Sequence, residues 1–252
     1  MKILLTLSYF GKNFCGYQAQ IDKRTVQTEL NRACHELFGF DCDVTGCSRT
    51  DSGVHANMFC ATVTQKGTDS LKIALSVDRV PLALNAHLPD DIAVISAREV
   101  DGDFHPRYDV KYKEYVYRIY NSPTRSPFED GRSWHIPQQF SEADIENMNV
   151  AAQAFIGQHD FKSFMAQGAK VESTVRNVKY ADVARNGDVI LFRVAADGFL
   201  YNMVRIMTGT LISVGKGKIK ADSIPHIISS LDRNLAGPTA PPHGLYLNKV
   251  IY

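Results

Sequence analysis

One carboxylate in this chain stands where a reactive group would be expected. Asp51 lies in Gly46-Cys47-Ser48-Arg49-Thr50-Asp51-Ser52-Gly53-Val54-His55-Ala56, a polar loop between two strand-like runs, with Arg49 two residues before it and a turn-forming Ser-Gly after it. Loops mounted on a rigid sheet are where catalytic groups tend to sit. The same residues also suit a solvated turn in which Asp51 merely caps the backbone. A second charged residue, Arg205, interrupts the apolar helix-like run Asn202-Met203-Val204-Arg205-Ile206-Met207-Thr208-Gly209. Met203, Ile206, Met207, Thr210, Leu211 and Val214 form its apolar stripe, and Arg205 shares the other face with Tyr201, Asn202, Thr208 and Gly209. If that face is buried, the guanidinium needs a partner, because a buried unpaired charge is very costly; Asp51 is one sensible carboxylate, and a surface pair is the plain alternative. A third set, Tyr112, Tyr115, Tyr117 and Tyr120, alternates along a strand, so that Tyr112 faces away from Tyr115 and Tyr117. One phenol there could stack on a base or move a proton, though most such tyrosines pack the sheet.

Cysteine spacing offers a metal reading. Cys42, Cys47, His55 and Cys60 supply four possible zinc ligands, but no tight Cys-x-x-Cys knuckle is present and Cys60 falls inside a strand-like run, so small buried hydrophobes are the better reading. Five cysteines, an odd count, argue for reduced thiols. Formal net charge is +1, from 28 basic and 27 acidic residues, so any nucleic-acid surface must be locally basic. The apolar start of the chain is too short for a signal peptide or membrane span, which suggests a cytoplasmic protein.

The elements that would position these groups read as α+β. Residues 3–9 alternate as a strand; Thr25 caps a helix carrying Val26, Leu30, Ala33, Cys34, Leu37 and Phe38 and stopped by Gly39. Residues 44–47 and 58–64 read as strands, residues 71–84 as a helix interrupted at Pro81, and residues 92–95 as a buried strand. Residues 112–120 follow as the most strand-like segment, then a helix over 141–156, strands near 175–183 and 189–195, a helix over 202–214, and an extended tail into a last strand. The mixture suggests two halves, 1–105 and 106–252.

Several motifs, in order along nearly the whole chain, resemble those of the TruA-type tRNA pseudouridine synthases. Ser48 to Ala56 is similar to that family's G-R-T-D-A-G-V-H-A signature around its active-site aspartate. Gly16-Tyr17-Gln18 with Thr25-Val26-Gln27, Leu84-Asn85 through Ile92, Phe104-His105-Pro106-Arg107-Tyr108 with Lys113-Glu114-Tyr115-Val116-Tyr117, His159-Asp160-Phe161, Thr174-Val175-Arg176, Phe199 to Arg205, Gly237 to Pro241 and Gly244-Leu245 extend the likeness. Ser48, Ser52 and Pro106 depart from it, small changes that touch substrate preference more than chemistry.

The resemblance implies two ferredoxin-like (RRM-like) βαβ halves forming one continuous mixed, mostly antiparallel sheet, with helices on one face and the active-site cleft between the halves. It implies isomerisation of uridine to pseudouridine in the anticodon arm of tRNA, positions 38 to 40, by a homodimer. Asp51 would be the nucleophile, Tyr115 would stack on the uracil and take the C5 proton, Arg205 would pair with Asp51, and Arg49 would fill the space a flipped nucleotide leaves. Gln18, His55, Arg107 and Phe161 would join Tyr115 in binding substrate, and Lys12, Lys23, Arg24, Lys162 and Lys170 are candidate phosphate contacts. The reaction is redox-neutral and asks for no metal and no organic cofactor. A non-catalytic RNA-binding module, a zinc-dependent RNA module and the same chemistry on another RNA site are the alternatives.

Overall fold

A computed structural model describes residues 1–168 and 171–252, and Lys170 lies outside the described residues. These residues fall into two compact units, one of residues 1–111 with 246–252 and one of residues 112–245. The fold is α+β, with strands that pair mostly antiparallel.

In the first unit, β1 (Lys2–Tyr9) leads through a loop to α1 (Val26–Phe38), followed by β2 (Cys42–Gly46), β3 (His55–Gln65), α2 (Val80–Asn85) and β4 (Ile92–Val100). Local chemistry sets the ends of α1. Thr25 and Thr28 form a reciprocal capping box that satisfies backbone donors at the start, and Gly39 takes the left-handed conformation, φ 77°, that ends the helix without a Cβ clash. Val26, Leu30, Ala33 and Cys34 recur on one face and are buried. β1 pairs antiparallel with both β3 and β4, and its register sets Ile3 opposite Val63, Leu5 opposite Ala61 and Leu7 opposite Phe59, all of them buried.

Two expectations change here. The helix expected over residues 71–84 is confined to Val80–Asn85, because Pro81 sits in its first turn; proline needs no hydrogen-bond donor there and so opens a helix instead of interrupting one. The buried strand expected over residues 92–95 runs from Ile92 to Val100 and is half-exposed, since β4 pairs with β1 alone and leaves Ile95 57% exposed.

The second unit contains β5 (Tyr112–Tyr120), β6 (Trp134–His135), α3 (Glu142–Gln153), β7 (Gly157–Asp160), β8 (Val175–Asn186), β9 (Val189–Ala196), α4 (Met203–Gly215) and α5 (Ile224–Ser230). Its strands run in the order β5-β9-β8-β7, with β6 parallel to β5. Tyr117, Phe155, Phe161, Phe164 and Phe192 are its largest fully buried side chains. α3 begins at Ser141, whose hydroxyl and the Asp144 carboxylate cap one another's backbone groups. α5, with Pro225 in its first turn, and the short β6 and β7 carry too little periodicity to be read from sequence.

The sequence leaves open whether the face of α4 that carries Arg205 is buried or at the surface; every residue of α4 is buried except Arg205, which is half-buried. Its polar side chains answer that burial locally: the hydroxyls of Thr208, Thr210 and Ser213 donate to the carbonyls of Val204, Ile206 and Gly209 at 2.8, 2.8 and 2.9 Å. The last strand, β10 (Leu245–Ile251), has Tyr246 and Leu247 in parallel register with His55 and Ala56, so in the first unit β2 and β10 pair with different stretches of β3. No helix among the described residues is long and apolar enough to cross a membrane.

The capping box on α1 carries a measurable share of stability. Replacing Thr25 with Ala should lower the unfolding free energy by about 1 kcal/mol, and Thr25→Asn should restore most of it, as read from urea denaturation.

Candidate active site

The loop carrying Asp51 is fixed by its neighbours on both sides. Thr50 is buried, and its hydroxyl shares a hydrogen bond of 2.8 Å with the hydroxyl of Tyr9 at the end of β1. The Thr50 carbonyl accepts the Tyr17 N–H at 3.2 Å. The carbonyl of Phe14 accepts both the Gly53 N–H, at 3.3 Å, and the Ser52 hydroxyl, at 3.1 Å. The Asp51 carbonyl closes a turn onto the Val54 N–H at 3.1 Å, leaving the half-buried carboxylate as this turn's chemically distinctive group.

Glycine makes the close approach possible. Gly16 has φ +89°, and a Cβ there would lie 2.7 Å from the Thr50 carbonyl oxygen. Beneath the loop, Tyr17 stacks on Phe59 with centroids 4.3 Å apart, and a Cβ on Gly46 would come within 2.5 Å of the Tyr17 ring.

The other candidate residues of this unit differ in exposure and in partners. Arg49 is exposed, and so are Gln18, Arg107, Lys12 and Lys23. His55 is 1% exposed, its ring stacked between Phe10 (centroids 4.7 Å apart) and Tyr246 (4.5 Å), and its Nδ1 accepts the Gly11 N–H at 2.8 Å. Arg24 is committed to a two-pronged pair with Asp91, at 2.8 Å for each prong, and also lies over the Phe14 ring. The four residues weighed as zinc ligands do not converge. Cys47 Sγ accepts the Cys60 N–H, Cys42 meets Cys34, and His55 turns to Gly11. Among the described residues, no group of three or more His, Cys, Asp or Glu side chains is placed to hold a metal.

In the second unit the arrangement centres on β5, the start of α4 and the extended segment after α5. Tyr115 is 7% exposed and meets Phe199 edge-on, with centroids 5.0 Å apart. Tyr117 is fully buried, and its hydroxyl donates to the Pro241 carbonyl at 2.7 Å. Arg205 donates through Nε to the Ala240 carbonyl at 2.8 Å and through Nη1 to Asn202 Oδ1 at 2.7 Å, while its own backbone carbonyl accepts the Ala240 N–H. The segment is drawn still closer at Gly209, where a Cβ would fall 1.7 Å from the Pro238 carbonyl oxygen, and at Gly237, whose N–H donates to the Thr210 hydroxyl. Phe161 is wholly buried against His159 and Phe164, and Lys162 beside it is exposed.

Thr50, Asn202 and Ala240 stand within the motifs read from the sequence, and Tyr9 within its first strand, but sequence reasoning gave none of them a role. Gly16 and Gly209 were the available signals, since glycine marks a close backbone approach. Nothing local marks Tyr9 beyond its inward place in β1.

Comparison with known proteins identifies the family. The family model for tRNA pseudouridine synthase matches residues 6–109 and 151–252, so it includes the Asp51 loop, α4 and the segment strapped to it. The chain belongs to the tRNA pseudouridine synthase family, and with it to the isomerases. Within the family it is of the TruA type. It is 43% identical over 251 residues to the tRNA pseudouridine synthase A of Acetivibrio thermocellus, covering 99% of each chain. It is 45% identical over 252 residues to that of Ruminiclostridium cellulolyticum, covering 100% of this chain and 99% of the relative, and 43% identical to that of a Geobacillus species, covering 100% and 98%. A crystal structure of a Cbf5-Nop10-Gar1 complex aligns with 97% of this chain and 57% of the matched chain, at 13% identity and a TM-score of 0.35, too loose a likeness to bear on the site.

Two outcomes follow from this geometry. Gly209→Ala should cost about 3 kcal/mol or more, because its methyl group would meet backbone that cannot swing away; thermal unfolding reads the loss. Burial also pushes the phenols of Tyr17 and Tyr117 above the ordinary tyrosine range, with Arg205 opposing the shift at Tyr117. Their stabilisation is therefore complete below about pH 10, the unfolded value, and is lost as pH rises from there toward the folded values. Denaturation midpoints should fall on the alkaline side. Tyr17→Phe should flatten that fall and cost no stability near neutral pH, because the Tyr17 hydroxyl is buried with no protein hydrogen-bond partner among the described residues.

Proposed function

We propose that this chain converts uridine to pseudouridine in the anticodon arm of tRNA, at positions 38 to 40, with Asp51 as the nucleophile. The observation that carries the reading is the match of 43 to 45% identity, over essentially the whole chain, to proteins named tRNA pseudouridine synthase A.

The chemistry asks little of the protein beyond placement and charge. The N1–C1′ bond breaks, the base turns, C5 bonds to C1′, the C5 proton leaves and N1 takes up a proton, so uridine and pseudouridine are isomers with no net oxidation or reduction. Asp51 supplies the carboxylate that opens this sequence, and its turn is held in place by Thr50, Phe14 and Tyr17, the kind of pre-organisation a nucleophile needs. Tyr115 lies on the uracil and accepts the C5 proton. That role suits it better than Tyr117, whose hydroxyl is spent on Pro241. Arg205 contributes positive charge to balance the carboxylate, and Arg49, exposed beside the nucleophile, takes the space vacated by the extruded nucleotide. Gln18 and Arg107, both exposed, contact the RNA, while His55 and Phe161 serve the substrate by shaping the surfaces above them. The working form is a homodimer in the cytoplasm, and sedimentation at assay concentration reads its size.

Purified protein incubated with tRNA transcripts carrying C5-tritiated uridine tests the reading, with pseudouridine mapped at base resolution. Tritium release at positions 38 to 40 is expected, and Asp51→Asn should lower its rate by roughly a thousandfold or more while tRNA binding persists. Retained turnover in Asp51→Asn would remove the nucleophile assignment. Binding without release from any RNA would leave a non-catalytic module.

A further inference from the structure

We infer that Asn202 is a positioning residue for Arg205, holding the guanidinium in the one orientation the reaction uses. This rests on the reading of Arg205 as a member of the reacting site.

Asn202 occupies the cap position of α4, yet its side chain does not cap the helix. An N-cap residue normally has extended backbone and accepts from a backbone N–H of the first turn. Asn202 instead sits in the left-handed region, φ 60° and ψ 11°, and its Oδ1 accepts from Arg205 Nη1 at 2.7 Å. Asp22 and Leu231 are the other non-glycine residues with positive φ among those described.

Left-handed backbone favours glycine, with asparagine the side-chain-bearing residue that tolerates it best. Asparagine therefore meets two demands at once: it adopts the turn into α4, and it returns an acceptor to a charged group one helical turn on. The Ala240 carbonyl takes Nε from another direction at 2.8 Å. Two acceptors on different nitrogens of a planar, rigid group fix both its position and its rotation. A flexible cation is thereby made a directed one.

Glycine and alanine separate this role from a merely structural one. Asn202→Gly keeps the left-handed turn and removes only the acceptor, whereas Asn202→Ala removes the acceptor and strains the turn. Both variants should lose about tenfold in kcat for tritium release, the scale on which small misplacement of a catalytic group acts, with KM for tRNA unchanged. Only Asn202→Ala should lower the thermal midpoint. In the double variant with Arg205→Lys, Asn202→Gly should add little further loss, because the group it orients is already gone.

A glycine variant with full kcat, beside a crippled Arg205→Lys, would overturn the role of Asn202 and leave that of Arg205 standing. Losses of kcat that follow the thermal midpoint, present in the alanine variant and absent in the glycine one, would reduce Asn202 to a helix-start residue. Full turnover in Arg205→Lys would overturn the underlying reading, and the inference with it.

Discussion

Thr50 is the residue on which the placement of Asp51 depends. It is buried between strands, so its hydroxyl and carbonyl must both find partners, and they find them in Tyr9 and the Tyr17 backbone. Those two bonds join the loop after β2 to the end of β1 and to the segment before α1. The rest follows sterically. Gly16 must lack a side chain for the Thr50 carbonyl to approach, Gly46 must lack one for the Tyr17 ring to lie beneath, and Phe59 completes the stack. A short polar loop, the sort of segment that is ordinarily mobile, becomes a rigid mount for a carboxylate.

The second unit solves the same problem for a cation. α4 is buried on all sides, a setting in which a charged side chain is tolerated only when its donors are satisfied. At the helix start two of the Arg205 donors are answered, one by the Asn202 side chain and one by the Ala240 backbone. The strapping of residues 237–241 to α4 serves the same end, and it is possible because Gly209 offers bare backbone to Pro238. Tyr117, donating to Pro241, ties the strap to β5 one inward position beyond Tyr115. Tyr117 and Arg205 are thus held by one extended segment that has no regular structure of its own at these contacts.

Much of this was legible from the chain alone. The bounds of α1 follow from Thr25, Gly39 and the spacing of Val26, Leu30, Ala33 and Cys34, all local effects within a few residues. β1, β5, β8 and β9 follow from alternation, and the family's motifs lie in order along the sequence. Where local signals were weak or double-valued, the reading slipped or stayed open. Pro81 reads equally as a helix breaker or a helix opener, and the polar face of α4 suits either solvent or the interior, where its hydroxyls bond back to the helix.

The sequence by itself determined which groups are available for chemistry, the fold class and the family, because these rest on residue identity, short-range spacing and motif order. Tertiary structure decided how each group is used. Ala240 meets Arg205 across 35 positions of chain, Pro241 meets Tyr117 across 124, and Tyr9 meets Thr50 across 41. Spacing gave Tyr115 and Tyr117 the same face of one strand, and only a carbonyl arriving from far along the chain set their hydroxyls apart. Contacts over such separations depend on how strands register and helices pack, and hydrophobic patterning fixes which face turns inward without saying which distant backbone will be waiting there.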